Sequence, residues 1–367
     1  MGDLVTFDSF SIKSKISGRY KVSFIDNLIE SLNQKSKIKN QIFIIDSKLN
    51  DFFSDEINFI RKSNSKYIFI DANEKNKSYT YAQQIIEKLL ESNIDKKTVL
   101  VAIGGGITQD LVAYISTILF RGLNWCFYPS TLLAQCDSCI GSKSSINFNW
   151  HKNIIGTFLP PKEIFIYSKF LNTLPISEIK SGIGEMSHYF LGVDNDIFEN
   201  LFSNYSELLS ERENLNHFIY KSLQIKKKII EIDEFDTKER QIFNYGHTFG
   251  HAIESVLEYN IPHGQAVTIG INIANYISME KKLISSNTFF QILNTLKVNV
   301  SGLKIKSIDV EKYFIALSKD KKNLNGKLGC ILINEKRELK KYYIKLDFKL
   351  KNQIVFFLNE YLKKLIC

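Results

Sequence analysis

The run Val99-Leu100-Val101-Ala102-Ile103 passes directly into Gly104-Gly105-Gly106 and then into Thr108 to Leu119, whose apolar residues fall at helical spacing. A short unbroken apolar run bounded by glycine reads as a strand buried on both faces. Two runs of the same kind, Ile42-Phe43-Ile44-Ile45 and Tyr67-Ile68-Phe69-Ile70, precede it, and Tyr79 to Leu90 has helical spacing. Strands alternating with helices predict a parallel sheet covered on both faces, with ligands bound beyond the carboxyl ends of its strands. The three glycines stand at such an end. They let the backbone come close to a phosphate, with a helix N-terminus aimed at it. A plain tight turn also uses glycine, and the run is not G-x-G-x-x-G. The phosphate reading therefore rests on its place after a buried strand.

A chain of 367 residues is too long for one typical core. Strand-like runs become sparse from about Pro175. Ser177–Leu191, Leu215–Ile232, Gly246–Leu257 and Ala266–Lys282 all have helical patterns, and the lysine-rich tail after Lys319 holds one hairpin pattern, Leu328–Ile333 with Tyr342–Leu346, before a final helix. The expected fold is α/β: an N-terminal Rossmann-like parallel-sheet domain over residues 1–174, then a mostly α-helical domain over 175–367.

Hydrophobic residues at 44% and charged residues at 24% suit a globular protein. The net charge of +9 raises nucleic acid or an anionic membrane as partners. The lysines are spread along the whole chain, with no arginine-rich tract and no nucleic-acid module, so a site for a small anion accounts for the charge more simply. The five cysteines form no disulfide framework, and Cys136-x-x-Cys139 stands without a second such pair, which favours buried small residues over a redox or zinc site. Reduced thiols, no signal peptide and no membrane-spanning apolar run lead to the expectation of a cytoplasmic protein. The start Met1-Gly2-Asp3-Leu4-Val5-Thr6 fits the myristoylation pattern, which is short enough to arise by chance.

Three of the six histidines fall within Asn244-Tyr245-Gly246-His247-Thr248-Phe249-Gly250-His251 and His263-Gly264-Gln265-Ala266. His247 and His251 share a helix face, and His263, after Pro262, opens the next helix and can fold back toward it. A catalytic metal site needs three protein ligands and an open position, so two imidazoles and a carboxylate would suffice. The zinc-protease pattern is excluded, because no glutamate follows His247. A histidine pair on a helix is more often structural, and spacing leaves both readings open. Glu185 lies within a small, apolar helical face, Ser181-Gly182-Ile183-Gly184-Glu185-Met186, where a carboxylate is costly unless paired or metal-bound. It is the obvious carboxylate ligand.

Polar residues crowd the stretch between Pro129 and Pro161: Asp137, Ser138, Ser142, Lys143, Ser144, Ser145, Asn147, Lys152 and Asn153. With Gly141 and Gly156 this reads as a structured loop able to hold phosphate and hydroxyl groups. Lys226 and Arg240 bracket an acidic segment, and spacing alone does not single them out.

These residues fall within longer motifs: GGGITQD, PSTLLAQCDSCIGSKSSIN, KNIIGTF, FLNTLP, EIKSGIGE, NYGHTFGHAIE and HGQAV. Through them the chain resembles the 3-dehydroquinate synthases, within the sugar phosphate cyclases, from about Asp46 to Lys322. The resemblance implies NAD and one divalent metal, zinc or cobalt, held by Glu185, His247 and His263. It places Asp46, Glu74, Lys77, Gly104, Gly105, Gly106, Asp110, Ser130, Thr131, Phe170 and Thr173 around NAD, with Lys143 and Lys152 also near it. Asp137, Lys143, Lys152, Asn153, Lys226, Arg240, Asn244 and His251 match substrate positions, as does Lys321 or Lys322. Arg121 matches an arginine reaching a neighbouring subunit, which implies a homodimer. The implied reaction belongs to the shikimate pathway. It oxidises one hydroxyl of a seven-carbon keto-sugar acid phosphate, eliminates phosphate, restores the hydride and closes a carbocycle by an aldol step.

The chain departs from that pattern in several places. His188 stands where the synthases carry lysine, one helical turn after Glu185 and expected to face substrate. Ser142 and Gln109 replace glycines, and Ser130 replaces threonine. A changed pocket raises a second reading, a cyclase making a cyclitol from another sugar phosphate such as sedoheptulose 7-phosphate, although Arg240, Asn244 and His251 keep the synthase identities. A metal-dependent polyol dehydrogenase would use a similar sheet and histidine cluster, but the cations at Lys143, Lys152, Lys226 and Arg240 argue against a neutral substrate. A silent scaffold is disfavoured because no metal-ligand position is lost, and for a basic nucleic-acid binder no salt-dependent binding to random DNA is expected.

Overall fold

A computed structural model describes residues 7–37, 40–149, 151–319 and 323–366. The myristoylation pattern at 1–6 and the Lys321 and Lys322 candidates lie outside the described residues. By its internal contacts the chain divides into two units, Met1–Leu174 with Lys226–Phe235, and Pro175–Ile225 with Asp236–Cys367.

The first unit contains strands β1 (Phe10–Ser14), β2 (Gly18–Phe24), β3 (Gln41–Asp46), β4 (Lys66–Ile70), β5 (Val99–Gly104), β6 (Asn124–Pro129), β7 (Lys143–Phe148), β8 (His151–Phe158) and β9 (Glu163–Ile166). Its helices are α1 (Leu28–Ser36), α2 (Ser54–Lys62), α3 (Tyr79–Glu91) and α4 (Gly106–Ile118). Seven strands form one sheet in the order β1-β2-β9-β6-β5-β3-β4. All its pairs are parallel except the β1–β2 edge hairpin. Phe43, Ile45, Val101 and Ile103 join α1 and α2 residues in one core cluster. Their alternates Ile42, Ile44, Leu100 and Ala102 are equally buried, so both faces of the sheet are covered.

The polar stretch expected as a loop is instead an antiparallel hairpin, β7 with β8. Polar composition hides its period of two: Ser144 and Ile146 are buried, while Lys143 is exposed and Ser145 and Asn147 are half-buried.

The second unit is helical: α5 (Ile176–Val193), α6 (Asn195–Ser203), α7 (Tyr205–Ser210), the first part of α8 (Leu215–Ile232), α9 (His247–Val256), α10 (His263–Glu280), α11 (Ser286–Val300), α12 (Val310–Ser318), α13 (Phe348–Glu360) and α14 (Leu362–Ile366). The tail hairpin is present as β10 (Lys327–Ile333) and β11 (Leu339–Lys345), with Leu328 opposite Ile344. Helix α10 is the centre of this unit. Every residue from Gly264 to Ser278 is buried, and α5, α9 and α11 pack around it. A helix covered all round must meet its neighbours closely, and glycine makes that possible. A Cβ built at Gly264 would lie 1.7 Å from the Ser181 carbonyl oxygen of α5, and one at Gly184 would lie 2.0 Å from the Gly264 carbonyl oxygen.

No backbone can yield that much without parting the helices, so overpacking here exceeds the usual cost of about 1–3 kcal/mol for an added methylene. Gly264→Ala is expected to lower the denaturation midpoint at unchanged slope, or to leave no soluble protein. A midpoint equal to that of the parent chain would contradict the packing described.

Candidate active site

In the sheet, the chain leaves β3 for β4 on one side and returns for β5 on the other. The topological switch point therefore lies between the carboxyl ends of β3 and β5, where ligands of such sheets bind. Asp46 ends β3 opposite Gly104 at the end of β5, since Ile45 pairs with Ile103. Asp46 is buried, and desolvation outweighs its hydrogen bond from the Lys48 amide, so its pKa lies above the ordinary carboxylate value.

The three glycines differ in what surrounds them. A Cβ at Gly104 would fall 2.3 Å from Thr108 Oγ1 and 2.7 Å from Thr108 Cβ, and one at Gly105 would fall 2.9 Å from Thr131 Cγ2. These two are needed for packing. At Gly106 the nearest atom would be Ser138 Oγ at 3.9 Å, so nothing in the protein demands glycine there. Helix α4 starts at this residue and has no side-chain cap, leaving its first N–H groups available to an anion. Open space, free donors and a switch point together fit a dinucleotide phosphate.

Beside this turn the structure gathers several of the residues expected around NAD and substrate. Lys77 Nζ lies 2.6 Å from Asp110 Oδ2 and donates to Asn153 Oδ1 at 2.8 Å. Glu74 Oε1 accepts from Asn147 Nδ2 at 3.0 Å and lies 3.1 Å from Lys152 Nζ. Asp110 Oδ1 accepts the Ser145 amide at 2.8 Å. Burial raises the Asp110 pKa against the pull of Lys77. The β7–β8 hairpin thus carries Lys152, Asn153, Ser145 and Asn147 into one network with the turn after β4. Lys143 begins β7 and is exposed.

Asp137 sits in a π-helical turn, Ala134–Ser138, a form that recurs at functional sites. Lys226 Nζ donates to its carboxylate and to its backbone carbonyl, both at 2.7 Å. Gln109, where the resemblance has glycine, braces the same turn: Ser138 Oγ donates to its Oε1 at 2.6 Å, and its Nε2 donates to the Ser138 carbonyl. Ser130 is buried at the end of β6, its amide bonded to the Gly104 carbonyl at 2.8 Å, and Thr131 follows it. Phe170 does not offer its ring to a cofactor. That ring is 1% exposed and packs edge-on against Phe53 and Tyr167, so any contact runs through its backbone. Thr173 Oγ1 bonds the Phe170 carbonyl at 3.0 Å. Arg121 is exposed and, like Phe120, has a left-handed backbone (φ 64° and 50°). Cys136 and Cys139 are buried, and burial pushes the Cys139 thiol far up, so neither is poised for redox work.

In the helical unit α5, α9 and α10 bring Glu185, His247 and His263 together. Glu185 Oε1 is 3.4 Å from His247 Nε2, and Oε2 is 3.5 Å from His263 Nε2. The far nitrogens are tied: His247 Nδ1 lies 3.2 Å from the Tyr245 carbonyl oxygen, and His263 Nδ1 lies 3.1 Å from Glu254 Oε1. Those partners only accept, so both Nδ1 atoms carry hydrogen, and in the neutral imidazole each Nε2 directs its lone pair at Glu185. Lone pairs directed at a carboxylate repel it unless a cation lies between. The separations fit the edge of a tetrahedron built from bonds of about 2.0–2.1 Å, roughly 3.4 Å. The residues present therefore suit a divalent metal.

Without one, burial alone would raise the Glu185 pKa, but the His247 and His188 imidazoles outweigh burial and hold it well below the ordinary value. Burial likewise opposes charge on His263, yet Glu185 and Glu254 hold its pKa well above the ordinary imidazole value. His251 is exposed one turn along α9, its ring stacked on His263 with centroids 5.6 Å apart. His247, His251 and His263 present nitrogens within 4.8 Å of one another. Arg240 and Asn244 lie in the turn before α9, which Lys341 holds through Gln241 at 2.7 Å. His188 differs from expectation. It is 1% exposed, and its Nε2 sits 3.0 Å from Glu185 Oε1 rather than presenting itself to a ligand.

Sequence reasoning did not name Glu254 or the Tyr245 carbonyl. Glu254 had a signal, since it stands seven residues after His247 and shares its helix face.

Over 95% of this chain and 99% of the other, the fold matches a 2-deoxy-scyllo-inosose synthase solved with carbaglucose-6-phosphate, NAD+ and Co2+, at TM-score 0.84 and 24% identity. A 2-epi-5-epi-valiolone synthase from Streptomyces hygroscopicus, solved with NAD+ and Zn2+, matches over 93% and 97% at TM-score 0.84 and 19% identity. The fold is that of the sugar phosphate cyclases. Residues 67–181 match the 3-dehydroquinate synthase N-terminal family and residues 182–323 its C-terminal counterpart. A 3-dehydroquinate synthase from Campylobacter hominis is 36% identical over 281 residues, 76% of this chain and 81% of that protein. The chain belongs to the 3-dehydroquinate synthase family.

The glycine geometry makes a paired prediction. Gly104→Ala should cost about 1–3 kcal/mol of stability through its clash with Thr108. Gly106→Ala should leave stability unchanged or raise it by up to about 1 kcal/mol, since alanine favours helix. Equal losses in denaturant titrations of the two variants would contradict the distinction.

Proposed function

We propose that the chain is a 3-dehydroquinate synthase, a phosphate-eliminating carbon–oxygen lyase that converts 3-deoxy-D-arabino-heptulosonate 7-phosphate to 3-dehydroquinate and phosphate. The observation that carries the reading is the Glu185–His247–His263 cluster with its two pinned imidazoles, in a chain whose residues 67–323 match that family. Glu185, His247 and His263 hold zinc or cobalt, and the Gly104–Gly106 turn, Asp46, Glu74, Lys77, Asp110, Ser130, Thr131 and Thr173 hold NAD. When bound, the metal supplies Lewis acidity to a substrate hydroxyl oxygen, and NAD takes up and returns a hydride without net consumption.

The chain's own residues do the rest. Lys143, Lys152, Lys226 and Arg240 supply the cations that a substrate with both phosphate and carboxylate requires. Asn153 and Asn244 offer amides to hydroxyl groups. The exposed imidazole of His251 can carry protons beside the cluster. Glu254 and the Tyr245 carbonyl hold the hydrogen of neutral His263 and His247 on Nδ1, so that Nε2 is the atom each offers to the metal. The enzyme acts in the cytoplasm as a homodimer, with Arg121 serving the partner's site. No helix among the described residues is long and apolar enough to cross a membrane. A polyol dehydrogenase is set aside, because the sequence matches lie in the synthase family.

The test is phosphate release from purified protein with NAD and zinc or cobalt. The substrates compared are 3-deoxy-D-arabino-heptulosonate 7-phosphate, sedoheptulose 7-phosphate and glucose 6-phosphate, each product being identified by mass. Turnover of the acid alone is expected. Turnover of a neutral sugar phosphate in its place, or of none, would overturn the reading.

A second expectation concerns pH. His263 holds a proton well above the ordinary imidazole range and must give it up to become a ligand. Metal uptake near pH 7 should therefore release about one proton from this residue, and affinity should tighten as pH rises from about 6 to 8. Calorimetry in buffers of different ionisation enthalpy reads both quantities. A pH-independent affinity would contradict the assignment of His263.

A further inference from the structure

Three imidazoles surround the Glu185 carboxylate, and their hydrogen-bond partners divide them into two kinds. His247 and His263 each have Nδ1 on an acceptor, so in the neutral imidazole it is Nε2, 3.4 and 3.5 Å from Glu185, that is free to bind a metal. His188 is placed the other way round. Its Nε2 approaches Glu185 Oε1 at 3.0 Å, a hydrogen-bond length shorter than a tetrahedral ligand edge. A carboxylate oxygen only accepts, so in this arrangement the nitrogen carries hydrogen and donates it to Glu185 rather than offering a lone pair. The neutral Nε2–H tautomer is enough for the contact.

The contact is built into the helix. His188 follows Glu185 by three residues on α5, so the two side chains meet on one face. Its ring is fixed by packing: it lies against Tyr189 with centroids 3.9 Å apart and edge-on to Phe243 at 6.1 Å. At 1% exposure it has little room to turn elsewhere.

We propose that His188 is a positioning residue for the metal centre: its Nε2–H holds Glu185 Oε1 and so fixes the orientation in which this carboxylate meets a divalent cation together with His247 and His263. The proposal rests on the metal-site reading given above. It assigns His188 neither to the ligand set nor to substrate contact. Groups that orient a metal ligand by hydrogen bonding typically contribute about 10–100-fold in metal affinity.

The experiment uses the full chain freed of metal by chelation and titrated with Co2+ against a chromophoric chelator. The parent, His188→Ala and His188→Gln are compared, with circular dichroism and thermal melting recorded for each. The expected result for His188→Ala is a loss of about 10–100-fold in Co2+ affinity. The visible d–d spectrum at saturating Co2+ should match that of the parent, and KM for the sugar phosphate should stay unchanged in metal-saturated protein. His188→Gln, whose amide N–H can reach the same oxygen, should recover part of the affinity. It also carries the comparison if the alanine variant does not fold.

Affinity within about twofold of the parent in the substituted protein would overturn the positioning role. A changed d–d spectrum at saturation would make His188 a ligand, and a raised KM with unchanged metal affinity would make it a substrate contact. Either result overturns the proposal. A parent chain that binds no Co2+ would remove the metal-site reading and this inference together.

Discussion

In the helical unit backbones approach closely enough to exclude a Cβ. Gly184 and Gly264 let α5 and α10 touch where any side chain would intrude, and Gly270 does the same between α10 and α9, where a Cβ would come within 2.0 Å of the Gly246 carbonyl oxygen. Glu185 follows Gly184, His263 precedes Gly264, and His247 follows Gly246. The residues that allow contact are thus the neighbours of the residues that converge. Hydrophobic burial drives the helices together, while the absence of a Cβ decides how near they come and therefore whether nitrogen and oxygen atoms end 3.4–3.5 Å apart.

Burying a carboxylate at such a junction is unfavourable by itself. Here it is surrounded by imidazoles whose hydrogens are directed by groups one layer further out. Glu254 is the clearest of these, since it both orients the His263 ring and favours positive charge on it. A centre that admits a divalent cation must carry compensating charge in the cation's absence, and the proton on His263 serves that purpose. The same electrostatic demand thus accounts for the depressed Glu185 and the elevated His263.

Much of this was legible in the sequence. The apolar runs became β3, β4 and β5, and α3, α5, α8 and α9 lie within a residue or two of their periodic patterns. Periodicity worked there because those elements are long or buried on both faces. It failed for β9, only four residues long, and for β7 and β8, whose polar side chains resemble a solvated loop. In the site, residue chemistry drew attention to Glu185, His247, His251 and His263, and the family resemblance chose Glu185, His247 and His263 among them. Partners distant in sequence could not be read: Lys226 meets Asp137 across 89 positions, and nothing in local spacing announces it. His188 shows a further limit. Its position on the helix is readable, but the direction of its ring is set by Tyr189 and Phe243.

Helix α8 begins among the residues of the helical unit and ends among those of the sheet unit, within the segment Lys226–Phe235. There Lys226 meets Asp137, Glu231 accepts the Lys13 amide at 2.9 Å, and Glu234 accepts from Ser14 Oγ at 2.8 Å and the Lys15 amide at 2.7 Å, tying down the edge strand β1. The sheet unit is consequently not a contiguous gene segment. A chimera that joined residues 1–174 to a relative's C-terminal half would inherit a foreign clasp for β1 and a foreign cation for Asp137. Recombination among members of such a family is therefore constrained to exchange this ten-residue insert together with the N-terminal half, or to conserve it in both parents.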